Sequence, residues 1–290
     1  MHESMLAYAR KRYLWIAGAL VAVCIAVYAW HTPPEPPNGG TWLGYTLGSI
    51  AALLVLWLTA FGIRKRSYGS SLGTVQGWLS AHVYLGVAVV FVATLHSGFQ
   101  FGWNVHSLAY VLLCAVVASG LVGVVLYLRY PSAMSANRAG ANRDQLLADI
   151  ADLDERAARL AASLPEEFAA LIASSRDRTV LGGGALALLT GADHSQIVLP
   201  TSPTPVANAD QATLLAWLAD RLSRSSDGAQ SQTIQDLLTL ITTRKGLTAR
   251  LRRDLKLQAW LEVWLYVHVP LTFALLAALI AHVLIVFLYW

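Results

Sequence analysis

The chain has 290 residues, is 56% hydrophobic and only 13% charged, and carries ten Trp, with a mean hydropathy of +0.51. That composition excludes an ordinary soluble domain or a disordered chain and fits a membrane protein. The formal net charge of +4 is small, and its cations gather at the ends of apolar segments, so no nucleic-acid surface is implied.

Five segments, roughly 13–30, 43–63, 75–97, 106–128 and 259–289, are long and apolar enough to span hydrocarbon. Arg10, Lys11 and Arg12 precede the first, and Arg64, Lys65 and Arg66 follow the second, whereas 31–42 and 97–105 contain no Lys or Arg. The positive-inside rule therefore predicts a multi-pass protein of a bacterial inner membrane, with a cytoplasmic N-terminus, a cytoplasmic 130–256 segment and a periplasmic C-terminus. The first span resembles a signal peptide, with Val27-Tyr28-Ala29 as a cleavage site; the expectation is a retained helix. Cys24 and Cys114 sit within spans, away from any CxxC or CxxCH pattern, and read as small apolar fillers.

In chain order, the Pro-rich link 31–40 cannot continue a helix, 64–74 forms a hairpin loop, and 97–105 is an aromatic external turn. Pro131 is expected to stop the fourth span. The insert 130–256 carries helical periodicity at both ends: Leu146, Leu147, Ile150, Leu153, Ala157 and Leu160 in 143–163, then Ile234, Leu237, Leu238, Ile241, Leu247, Leu251 and Leu255 in 230–256. These predict an antiparallel coiled hairpin whose second helix runs directly into the fifth span. Between them lie helical segments near 165–174 and 209–224, a turn at Gly182-Gly183-Gly184, and an irregular stretch 194–208, with 197–200 as a short strand candidate. The division is 1–129 (spans one to four), 130–256 (insert) and 257–290 (span five).

The chemistry rests on four histidines. His82 and His96, and His268 and His282, are each fourteen positions apart within apolar stretches. Fourteen helical residues turn through roughly 1400°, close to whole turns, and rise about 21 Å, so each pair shares a helix face near opposite edges of the hydrocarbon. Histidine in lipid is costly and usually functional. Spans three and five are predicted to run parallel, which pairs His82 with His268 on the inner side and His96 with His282 on the outer side. Zinc or copper normally needs more than two ligands, whereas six-coordinate haem takes one imidazole on each face. The reading is two bis-histidine b-type haems stacked across the membrane.

Neighbouring residues suit a porphyrin slot. Gly86 lies one turn from His82 and Thr272 one turn from His268, with Gly44 and Gly48 on span two and Gly120 and Gly123 on span four. Glycine lets a flat macrocycle approach a backbone, although small residues also promote helix packing. Pro270 is expected to kink span five. Arg64, Lys65, Arg66 and Arg129 are candidates for the inner propionates; the outer side offers His106, Trp103, Asn104 or Ser97. Glu262 is a candidate proton relay at a quinone site.

The segments HVYLGVAVVFVATLH and HVPLTFALLAALIAH resemble those of the two-haem b-type transmembrane cytochromes. That group includes the cytochrome b subunit of quinol–cytochrome c oxidoreductases and the ferric-reductase-like transmembrane proteins. The resemblance implies that His82, His96, His268 and His282 are axial ligands in a four-helix bundle. The ligand placement on spans three and five, after an additional N-terminal helix, looks closer to the ferric-reductase-like arrangement. Unlike reductases of that kind, these residues contain no GxGxxG fingerprint and no flavin or nicotinamide domain.

The resulting expectation is an all-α membrane protein with five transmembrane helices, a four-helix haem-binding bundle and a helical cytoplasmic insert. It would act as an electron-transfer subunit between a quinone or quinol pool and a soluble or membrane redox partner, an iron–sulfur protein or c-type cytochrome. The alternatives are a transmembrane reductase conduit to external acceptors, or a haem-free scaffold of a larger complex.

Overall fold

The structure, a computed structural model, describes residues 6–33, 36–67, 73–138 and 140–288. Parts of the link 31–40 and of the loop 64–74 lie outside the described residues, as does the end of the fifth predicted span. The chain is about 80% helical. It divides into two compact units, residues 1–128 with 263–290, and residues 129–262.

The first unit contains α1 (Tyr8–Trp30), α2 (Trp42–Arg66), α3 (Val75–Ser97), most of α4 (Val105–Arg138) and the last part of α9 (Gly228–Leu288). Among the described residues these are the five helices long and apolar enough to cross a membrane, and they coincide with the five predicted segments. Positive φ at Ala9, Arg10 and Lys11 interrupts the start of α1, so its regular portion begins close to the predicted boundary. Thr41 and Thr74 cap α2 and α3 by accepting from Gly44 N (3.0 Å) and Gly77 N (3.1 Å), as expected for hydroxyl N-caps. Asn104 Oδ1 accepts from Ser107 N at 2.9 Å and serves the same purpose for α4. Gly98, at φ 58°, ends α3 in the left-handed conformation that favours glycine. A Cβ there would also collide with the Pro37 carbonyl.

One boundary differs from expectation. Pro131 does not end α4, which continues to Arg138. Proline deletes one backbone donor, but a helix anchored on both sides absorbs that loss; downstream, Asn137 Nδ2 and Arg138 bond to residues of α9. As expected, the hairpin's second helix runs directly into the fifth span: α9 is one helix, 61 residues long, with Pro270 inside it.

Packing within the first unit is uneven. α3 lies in close backbone contact with α1 and α2. α4 and α9 join through side chains: Leu113 and Leu275 enter a core with Leu43, Leu47, Val55, Val89 and Val92. This looser approach leaves space between α2, α3, α4 and α9.

The second unit is built from the end of α4, α5 (Arg143–Ala161), α6 (Glu166–Asp177), α7 (Ala185–Thr190), β1 (Gln196–Val198), β2 (Pro205–Ala207), α8 (Ala212–Arg224) and the first part of α9. Arg143 meets Asp254 while Arg244 meets Asp154, so α5 and α9 run antiparallel, as the coiled-hairpin reading requires. Their apolar stripes bury Ala157, Ala161, Ile234, Leu237 and Ile241 against Phe168, Leu171, Leu214 and Leu218 of α6 and α8. The strand candidate is real and has a partner: β1 pairs antiparallel with β2, Ile197 opposite Val206, and the Ile197 side chain is fully buried. The short helix α7, following the Gly182–Gly184 turn, has no counterpart in the predicted elements.

Candidate functional site

All four predicted histidines lie in the first unit, and the structure brings them together in the predicted pairs. His82 and His268 line one narrow cavity of about 80 Å³, below the volume typical of ligand sites. Apart from Thr59 and Thr272 its other walls are apolar, drawn from α2 (Val55, Leu58), α3 (Val83, Val87), α4 (Val116, Val117) and α9 (Leu275). At the other end of the same helices the His96 and His282 rings stand 5.9 Å apart between centroids and nearly perpendicular, at 89°. The end carrying Arg64, Lys65 and Arg66 is called the basic end below, and the His96–His282 end the far end.

Each ring is held through Nδ1. His82 Nδ1 bonds the Leu58 carbonyl at 3.1 Å, and His96 Nδ1 the Gly44 carbonyl at 2.7 Å. A carbonyl only accepts, so both rings carry their proton on Nδ1. His268 Nδ1 bonds the Ser119 hydroxyl at 3.1 Å, and His282 Nδ1 bonds Nδ1 of His106. For His82 and His96 the carbonyl sets the tautomer and leaves Nε2 with its lone pair for a ligand. Trp264 adds a platform, stacking on His268 at 5.3 Å and 24° while its indole N–H donates to the Ser119 carbonyl at 2.8 Å. The Thr272 hydroxyl donates back to the His268 carbonyl at 2.9 Å.

The glycines divide by what they make room for. Gly86 and Gly120 line the cavity, and a Cβ on Gly86 would meet nothing within 4 Å. Gly48 serves the far-end ligand ring: a Cβ there would lie 2.7 Å from His96 Cε1. Gly39, in the link before α2, approaches the same ring, and Gly123 accommodates the Trp264 indole. At Gly44, a Cβ would strike the backbone of Asn38 and Gly39.

The cations are mostly occupied elsewhere. Arg64 is buried and its guanidinium donates to the carbonyls of Ser67 (3.1 Å) and Gly73 (2.7 Å), holding the α2–α3 loop. Lys65 donates to the Tyr127 hydroxyl at 3.0 Å and sits over that ring. Arg66 is exposed; Arg129 is exposed and belongs to the second unit. Of the far-end candidates, Asn104 caps α4, Ser97 donates to the Thr94 carbonyl at 2.8 Å, and Trp103 is fully exposed. His106 alone reaches a predicted ligand. Glu262 accepts from Gln258 Nε2 at 2.7 Å in the second unit.

Sequence reasoning missed Ser119, the Leu58 and Gly44 carbonyls, Gly39 and the stacking role of Trp264. Ser119 was visible as a lone hydroxyl beside Gly120 in an apolar span; the carbonyls carry no sequence signal. Among the described residues no group of three or more His, Cys, Asp or Glu is arranged to hold a metal ion. Comparison of the chain with family models, with curated proteins and with solved structures returns no match.

Proposed function

We propose that the chain is a b-type cytochrome that holds two haems across a membrane and passes electrons between them. The observation that carries this reading is the apolar cavity with His82 and His268 on separate helices, and Gly86 and Gly120 on its walls. Those two histidines would ligate one iron, and His96 and His282 the other. Bound haem iron supplies one-electron redox chemistry, its potential set by axial ligands, hydrogen bonding and the dryness of the site.

The protein's own contribution is positional. The Leu58 and Gly44 carbonyls hold His82 and His96 as tautomers protonated on Nδ1, and the Ser119 hydroxyl and the His106 ring anchor His268 and His282 through the same atom. The valine and leucine walls exclude water. Rigid rings and a dry pocket keep the reorganisation on electron transfer small. In the proposed orientation the basic end faces the cytoplasm of a bacterial cell. Electrons would enter and leave through a quinone or quinol in the membrane and a partner redox protein, with the second unit as its docking or assembly module.

The test is direct. Purified full-length protein should give a reduced-minus-oxidised spectrum with b-type bands, and a pyridine haemochrome value of two haems per chain. Protein expressed with adequate haem supply that folds, stays monodisperse and shows no haem absorption would overturn the proposal and leave the scaffold reading in its place.

A further inference from the structure

The four histidines differ in what their Nδ1 atoms meet, and one of these partners is itself a base. His82 and His96 face backbone carbonyls and His268 faces a hydroxyl, while His282 faces the imidazole of His106. His106 comes from the first turn of α4, and the two rings pack edge to face, 4.6 Å apart at 88°. Nothing in the sequence pattern sets this contact: His106 lies outside the fourteen-residue spacing and on a different helix from both predicted far-end ligands.

We infer that His106 is a positioning residue that acts through His282 and strengthens it as a ligand. This rests on the two-haem reading above. If His282 binds metal through Nε2, its proton resides on Nδ1, and His106 Nδ1 must then accept. That fixes His106 as the tautomer protonated on Nε2. A ring nitrogen accepts more strongly than the Ser119 hydroxyl does for His268, so it draws the Nδ1 proton further from His282 and makes Nε2 more electron-rich. A more electron-rich axial imidazole stabilises ferric over ferrous iron. The far-end haem alone feels this, because His268 has no imidazole partner. His106 thereby makes the two ends chemically distinct within otherwise similar bis-histidine frames.

The experiment is a redox titration of the purified full chain, with low-spin electron paramagnetic resonance on the oxidised form. The variants are His106→Phe, which keeps an aromatic ring but removes the acceptor, and His106→Gln, whose amide oxygen restores one. His106→Phe should retain two haems, raise one midpoint potential and shift one low-spin signal, with the other haem unchanged. His106→Gln should return both toward wild type. Ser119→Ala should perturb the complementary haem. The inference is overturned if His106→Phe leaves both potentials and both signals in place, or shifts them equally. It is also overturned if Phe and Gln alike lose the same haem, which is what a purely structural residue would do. Absence of haem from the wild-type protein would instead sink the two-haem reading.

Discussion

The two units treat buried polarity in opposite ways. In the second unit the buried carboxylates meet arginines. Asp254, fully buried, takes Arg138 through two contacts of 2.7 Å and Arg143 at 3.1 Å. Asp154 takes Arg244 at 2.5 Å, and Asp193 takes Arg252 at 2.7 Å. In the first unit the histidines are held by one nitrogen only, each through Nδ1. A group with its hydrogen bonds closed does structural work, and paired charges of this kind make weak evidence for function. A ring anchored through Nδ1 keeps its second nitrogen open to a ligand, which is what the proposed function builds on.

The largest expected effect follows from that contrast. On the proposed function His82→Ala and His268→Ala should each halve the haem content, and the double variant should lose no more than either alone, as expected of two residues proposed to serve one iron. His96→Ala and His282→Ala should remove the other haem. Pyridine haemochrome on purified variants reads this out, and additive losses within a pair would break the pairing.

The helical skeleton and the pairing were legible in the sequence because both follow from periodicity. Apolar length located all five spans, and a fourteen-residue spacing on parallel helices leaves little choice of partner. What the sequence did not disclose depends on backbone or on distant contacts. The carbonyls of Leu58 and Gly44 carry no residue-type signature. Gly48 was read for the room it leaves beside a porphyrin; that the nearest atoms to a Cβ there belong to the His96 ring follows only from the packing of α2 on α3. Pro131 was read as a stop because local propensity says so; tertiary anchoring of the following turn overrode it.

The next effect belongs to the second unit. Asp154→Ala strands Arg244, whose side chain is 3% exposed, and should cost about 3 kcal/mol, the order measured when one member of a buried pair is removed. Thermal denaturation of the full chain should show an earlier transition with haem content intact; simultaneous haem loss would erase the separation between the units. Acid should act on the same unit. Burial alone would raise the Asp254 carboxyl, but hydrogen bonds from Arg138 and Arg143 outweigh it and hold it below the usual value. A depressed carboxyl contributes stability in full above its unfolded pKa of about 3.9 and loses it as pH falls through the folded value. The unit should therefore hold its stability down to about pH 4 and lose it in stronger acid, with Asp254→Asn flattening that dependence.

Gly48→Ala should be next in size. The added Cβ would force the His96 ring away from its Gly44 hydrogen bond, at a cost of about 1–3 kcal/mol for overpacking a close contact. Haem should be lost at the far end only. Gly86→Ala meets no atom within 4 Å, so without haem it should be neutral. A melt of haem-depleted protein that dropped equally for both substitutions would remove the difference between room for a ligand ring and room for a macrocycle.

The smallest effect tests whether the second unit's polar contacts are as local as they look. Asn142 begins α5 with a reciprocal box: its side chain accepts from Gln145 N at 2.7 Å, and the Gln145 side chain accepts from Asn142 N at 2.7 Å. Both donors are orphans of the first turn, and each finds its acceptor within three residues. Asn142→Ala removes one acceptor and should cost about 1 kcal/mol, whereas Asn142→Asp keeps the acceptor and adds favourable charge at the helix start. Hydrogen exchange should show the loss confined to the first turn of α5. A loss that spread to the Asp154–Arg244 pair, three turns along, would mean that the hairpin folds as one cooperative block and that its ion pairs and its cap are not independent.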